Sequence, residues 1–129
     1  MPVANLSVLV IDDDDMVRRA IVRGLRRRYE VTELRDAETA LVLIHGGQRF
    51  DAILCDLNLT GMSGSDFFLN LEANNDEQAA RVIILTGNIG AVGAADFGEN
   101  GPLLLEKPVS IAKLEGLIRD LADGAARAA

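Results

Sequence analysis

Cysteine occurs once in this chain, at Cys55, and histidine once, at His45. One cysteine cannot form an internal disulfide, and so thin a supply of thiols suits a reducing compartment. The opening Met1-Pro2-Val3-Ala4-Asn5 lacks the basic stretch and apolar run of a secretory signal. No apolar run approaches the roughly 20 residues needed to span a bilayer. An excess of positive charge is missing too. Acidic residues number 20 against 13 basic ones, a formal net charge of -7 that repels nucleic acid and anionic membranes. These absences lead to the expectation of a cytoplasmic protein with no nucleic-acid or membrane partner.

What is present suits a globular chain. The 129 residues are 49% hydrophobic and 26% charged, enough for a core without disulfides or structural metal. One domain over 1–129 is expected, with its core at about 7–122 and a weakly patterned, fraying tail at 124–129.

Apolar periodicity alternates along the chain. Ser7–Ile11 reads as a buried strand, and any of the acids Asp12–Asp15 can cap the helix that follows, where Val17, Ile21 and Leu25 recur at helical spacing. Tyr29–Leu34 alternates as a second strand. Asp36–Ile44 reads as a helix stopped by Gly46-Gly47, and Ala52–Cys55 as a third strand running into Asp56. A helix over Ser65–Ala73 turns Phe67, Phe68 and Leu71 inward. Val82–Leu85 is a fourth strand ending at Thr86, and Leu103–Leu105 a fifth ending near Lys107. Ile111, Leu114, Leu117, Ile118 and Leu121 mark a last amphipathic helix. Between the last two strands, Gly87–Gly101 holds five glycines, each costing a helix about 0.5–1 kcal/mol against alanine, so a short or frayed helix is expected there.

Strands interleaved with helices predict a parallel, doubly wound α/β sheet, whose site lies at the carboxyl ends of the strands. The polar residues at those ends are Asp12 and Asp13, Asp56, Thr86 and Lys107. Three carboxylates together repel one another unless a cation intervenes, and Mg²⁺ suits such oxygens. A carboxylate nucleophile, a metal and an ammonium are the minimal parts for phosphoryl transfer, and Thr86 adds a hydroxyl donor.

The segments VLVIDDDD, ILCDLNLTGMSG, VIILTGN and LLLEKPV, with 44, 30 and 21 positions between Asp12, Asp56, Thr86 and Lys107, resemble the four signatures of response-regulator receiver domains. The resemblance spans about Ser7 to Ala122. It implies a flavodoxin-like fold of strand order 2-1-3-4-5 and a phosphorelay role. Asp56 would accept a phosphoryl group from a histidine kinase or histidine phosphotransfer protein and switch a surface read by a downstream protein. Mg²⁺ would be held by Asp13, Asp56 and the backbone carbonyl of Asn58, with Asp12 acting through water. Thr86 would swing to the phosphoryl group, Lys107 would bridge Asp56, and Lys107-Pro108 would be cis.

Three positions depart from the family pattern. Thr60 stands where receivers usually carry proline, Gly87 where alanine is common, and Leu104 where an aromatic switch residue is expected. Leu104 moves the expected output towards ordering of Gly87–Gly101. The LEKPV ending and the glycine-rich segment look more like receivers attached to hybrid sensor kinases.

Blander or rival readings stand beside this one. Asp14 and Asp15 read best as caps, Cys55 as an inert buried thiol, and His45 as a helix-end residue. Arg18, Arg19, Arg23, Arg26, Arg27 and Arg28 read as a solvated helix face or a docking surface for an acidic partner. A haloacid-dehalogenase-like phosphatase would use Asp12 as nucleophile and Asp14 as acid/base, but lacks its later acidic motif and leaves Asp56 unexplained. A phosphate-independent pseudo-receiver would not need all five site residues.

Overall fold

A computed structural model of the chain describes residues 6–92, 97 and 101–128, with side chains described as far as 124 in the last helix. The elements run β1 (Ser7–Ile11), α1 (Asp15–Leu25), β2 (Glu30–Leu34), α2 (Ala37–His45), β3 (Ala52–Asp56), α3 (Gly64–Asn74), α4 (Asp76–Ala79), β4 (Val82–Thr86), a 3-10 turn (Ile89–Ala91), β5 (Leu103–Glu106) and α5 (Ile111–Ala128). All four strand pairings are parallel and the order is β2-β1-β3-β4-β5, the flavodoxin-like arrangement.

Strands β3 and β4 are buried at every position because helices cover both faces of the sheet. Side chains two apart therefore share a core, and neighbours go to opposite cores. Leu9, Ile11, Ile53, Cys55 and Ile84 pack with Ala40, Ile44, Phe67 and Leu71 from α2 and α3. Val8, Val10, Leu54, Ile83 and Leu85 pack with Ile21, Leu25, Leu114 and Ile118 from α1 and α5. Burying one such Leu or Phe side chain contributes about 1.5–3 kcal/mol.

Side-chain caps start the helices. Asp14 accepts from the amides of Met16 and Val17, Asp36 from Thr39, and Ser63 from Asp66. Two differences from the sequence reading concern local signals. The single turn α4 has no apolar periodicity to mark it, because its Gln78 is polar yet buried, with both ends of its amide bonded to the backbone of Phe50. Helix α5 runs to Ala128, past Gly124, where the apolar pattern weakens. Within Gly87–Gly101 the structure has the 3-10 turn; residues 93–96 and 98–100 of that expected helix lie outside the described residues.

Strand register positions the site. Asp56 pairs with Leu85 and Thr86 with Glu106, so the carboxyl ends of β3, β4 and β5 finish almost level. The residues that follow them meet at one edge of the sheet.

Candidate functional site

The site starts where β1 ends. Asp12 is fully buried, and its N–H donates to the Leu34 carbonyl at 3.1 Å. Its Oδ1 accepts from the amide of Asp14 at 2.9 Å, which turns the chain into α1. Asp13 projects from that turn, half-buried, and its Oδ2 accepts both the amide and the hydroxyl of Thr60 at 2.9 Å. Asp56 ends β3 and is buried. Its loop closes through the Gly64 amide, which donates to Leu57 at 2.9 Å. Gly64 is required by contact, since a Cβ there would lie 2.5 Å from the Asp56 carbonyl oxygen. Gly61 has φ +83°, a left-handed conformation that glycine adopts freely.

Lys107 joins these parts. Its Nζ lies 2.8 Å from Asp56 Oδ1 and 3.2 Å from Asp12 Oδ2. Its amide donates to the Thr86 carbonyl at 2.8 Å, and the Lys107-Pro108 bond is cis. Buried Thr86 accepts the Asn88 amide on Oγ1 at 3.2 Å, which leaves its hydroxyl proton to donate elsewhere.

One oxygen from each of Asp12, Asp13 and Asp56 lies within 4.8 Å of the others. Two oxygens on one Mg²⁺ are at most about 4.2 Å apart, so this all-oxygen set fits the ion after a small contraction. The electrostatics agree with a site short of positive charge. Burial pushes the Asp56 carboxyl above its ordinary range despite the Lys107 ammonium. Burial alone would draw Lys107 down, but its bond and attraction to Asp56, and then to Asp12, hold it above the ordinary value. The amide and then the hydroxyl of Thr60 hold Asp13 below the usual carboxylate range.

The structure thus brings together Asp12, Asp13, Asp56 and Lys107. Thr86 stands at the same edge, and Asn58 is exposed in the loop two residues beyond Asp56. Asp14 is the α1 cap, His45 is exposed at the end of α2, and the Cys55 thiol is buried and pushed up by burial, which makes it inert. Arg18 corrects the reading of a wholly solvated basic face. It is buried, donating from Nη1 to the Asp12 carbonyl at 3.0 Å and from Nε to Glu33 at 2.9 Å. Strand β2, whose end supplies none of the polar residues at the site, braces Asp12 through Glu33 and Arg18. Nothing local in the sequence carries that signal.

Residues 8–119 match the family model of the response regulator receiver domain. The chain belongs to this family. It is 31% identical over 117 residues to chemotaxis protein CheY-3 of Vibrio cholerae serotype O1, covering 86% of this chain and 87% of that one. A response regulator receiver protein from Pseudomonas putida superposes with a TM-score of 0.74 at 28% identity, covering 92% and 98%. A receiver domain from Clostridium thermocellum gives 0.80 at 24%, covering 96% and 99%, a likeness of fold. The protein is a receiver domain of two-component signalling, a phosphoacceptor of the kind served by donors such as histidine kinases. Receiver domains bind Mg²⁺ in an acidic cluster, and Asp12, Asp13 and Asp56 form one here. No described helix is long and apolar enough to cross a membrane.

Proposed function

We propose that Asp56 is the phosphoacceptor, charged from a histidine kinase or histidine phosphotransfer protein in the cytoplasm, and that the receiver catalyses both its own loading and its own hydrolysis. The observation that carries this reading is Lys107, whose ammonium sits 2.8 Å from one Asp56 oxygen while burial keeps that carboxylate poorly solvated. A carboxylate oxygen of Asp56 attacks the phosphorus of a phosphohistidine. The P–N bond breaks, its electron pair returns to the imidazole nitrogen, and an acyl phosphate forms on Asp56. Lys107 is placed to follow the phosphoryl oxygens, and the Thr86 hydroxyl has a proton to donate to them. Asp13, Asp56 and the Asn58 carbonyl would hold Mg²⁺ directly and Asp12 through water; the ion supplies neutralisation of the charge gathered on the phosphoryl oxygens. Hydrolysis reverses the load, with water attacking phosphorus and the P–O bond to Asp56 breaking.

Incubation with acetyl phosphate and Mg²⁺, followed by mass spectrometry, tests the assignment. A labile monophosphate adduct that disappears in Asp56→Asn supports it. Stoichiometric labelling of that variant at another residue refutes it.

A further inference from the structure

Thr60 lies four residues beyond Asp56, in the loop between β3 and α3, yet its two donors both reach back 47 positions to Asp13. Two donors at 2.9 Å on one oxygen fix the plane of a carboxylate, and so the direction of its other oxygen. A proline at this position has neither an N–H nor a hydroxyl and makes neither bond. The same loop is held from its other side, where the Met62 amide donates to Glu38 Oε2 at 3.3 Å, across the turn at Gly61. Asn58 lies in this loop and Asp12 and Asp13 in the facing one, so the Thr60 contact ties together the two segments that carry the cation's ligands.

We propose that Thr60 is a positioning residue for the cation site, holding Asp13 in its ligating orientation before the cation arrives. This rests on the reading of Asp12, Asp13 and Asp56 as the Mg²⁺ site. Hydrogen-bond partners of ligating carboxylates act this way, and their loss commonly lowers metal affinity about 10–100-fold. Thr60 does not touch the reacting atoms, so its effect belongs to cation binding and not to the transfer step.

The test is calorimetric titration of MgCl₂ into the unphosphorylated chain, with Thr60→Val, Thr60→Ala and Thr60→Ser beside the unaltered protein. Val and Ala both lose the hydroxyl and keep the amide, so each should weaken Mg²⁺ about three- to tenfold, the worth of one hydrogen bond. Ser restores the donor and should bind within about twofold of the unaltered chain. With acetyl phosphate, the Mg²⁺ concentration for half-maximal labelling should rise in Val and Ala, while the rate at saturating Mg²⁺ stays level. Equal Mg²⁺ affinity in all four proteins overturns the role of Thr60 and leaves the cation site intact. Tighter binding by Val and Ala overturns it too, because Thr60 would then be competing with the cation for Asp13. If the unaltered chain binds no Mg²⁺, the site reading fails and the role of Thr60 fails with it.

Discussion

Without a divalent cation the site carries more negative charge than one lysine can offset, so Asp56→Asn should stabilise the metal-free protein. At an effective dielectric of about 20, two like charges 4.8 Å apart repel by about 3.5 kcal/mol. Asp56 meets two such neighbours, Asp12 and Asp13, for a repulsion of about 7 kcal/mol, against an attraction of about 6 kcal/mol from Lys107 at 2.8 Å. These charges nearly cancel, so burial, the largest cause, decides against the ionised carboxylate, and the repulsion from Asp12 and Asp13 adds to it. Asparagine keeps a carbonyl for Lys107 and removes the charge. A gain of about 1–2 kcal/mol, or roughly 3–8 °C in melting temperature, is expected at pH 7 in EDTA. The pH dependence is fixed by the raised pKa of Asp56. A carboxyl raised on folding contributes stability below its unfolded pKa of about 4 and loses it as pH climbs through the folded value. The advantage of Asp56→Asn should therefore be absent near pH 3 and open as pH rises through the raised folded value. Millimolar Mg²⁺ should narrow it, since on the proposed site the ion would stabilise the unaltered chain more than a variant short of one anionic ligand. Thermal melts in EDTA decide the matter; an Asp56→Asn melting temperature equal to or below that of the unaltered protein at pH 7 refutes the charge balance.

Lys107→Met leaves buried Asp56 and Asp12 without their shared ammonium, and breaking such a pair should cost about 3–5 kcal/mol in EDTA. Chemical denaturation measures it, and a loss under about 1 kcal/mol shows that water or Asp56 protonation already relieves the site. Gly64→Ala drives a Cβ to within 2.5 Å of the Asp56 carbonyl oxygen and 2.9 Å of Leu57 Cα, both backbone atoms that cannot rotate aside. A destabilisation of about 1–3 kcal/mol with slower phosphorylation is expected, and an unchanged denaturation midpoint counts against the contact.

What the sequence made legible was local. A buried parallel strand is a short apolar run, and the first polar residue after it marks the carboxyl edge of the sheet. Asp12, Asp56 and Thr86 follow from that rule, and Lys107 lies one residue beyond the first polar residue, Glu106. Illegible features depend on partners far along the chain. Arg18 follows the helical arginine pattern of its neighbours, and only Glu33 on β2 and the Asp12 carbonyl make it a buried brace. Thr60 could be seen to depart from a family pattern, but its bond to Asp13 crosses 47 residues. Gln78 looks like a loop residue until Phe50 satisfies both ends of its amide.

The absence of an aromatic ring at position 104 leaves the question of how a charge at Asp56 is read elsewhere. Leu104 is partly buried against the core formed with α2 and α3, opposite Ile84 in the sheet, and has no polar atom to exchange partners. Thr86 has one. Its Oγ1 accepts the Asn88 amide at 3.2 Å, and the Asn88 side chain in turn accepts the Gly90 amide at 3.1 Å at the start of the 3-10 turn. A phosphoryl group adds about -1.5 to -2 charge and three acceptor oxygens beside Asp56. We propose that the whole Thr86 side chain swings towards them to donate its hydroxyl, which draws Oγ1 off the Asn88 amide and loosens the cap of the turn. Hydrogen exchange at Asn88 and Gly90 should accelerate when the beryllofluoride mimic binds, and Thr86→Val should show the faster exchange without the mimic. Leu104→Ala should leave the response in place, because no step of the path passes through that side chain. Unchanged exchange at Asn88, in a sample whose raised melting temperature shows that beryllofluoride is bound, would rule out Thr86 as the link.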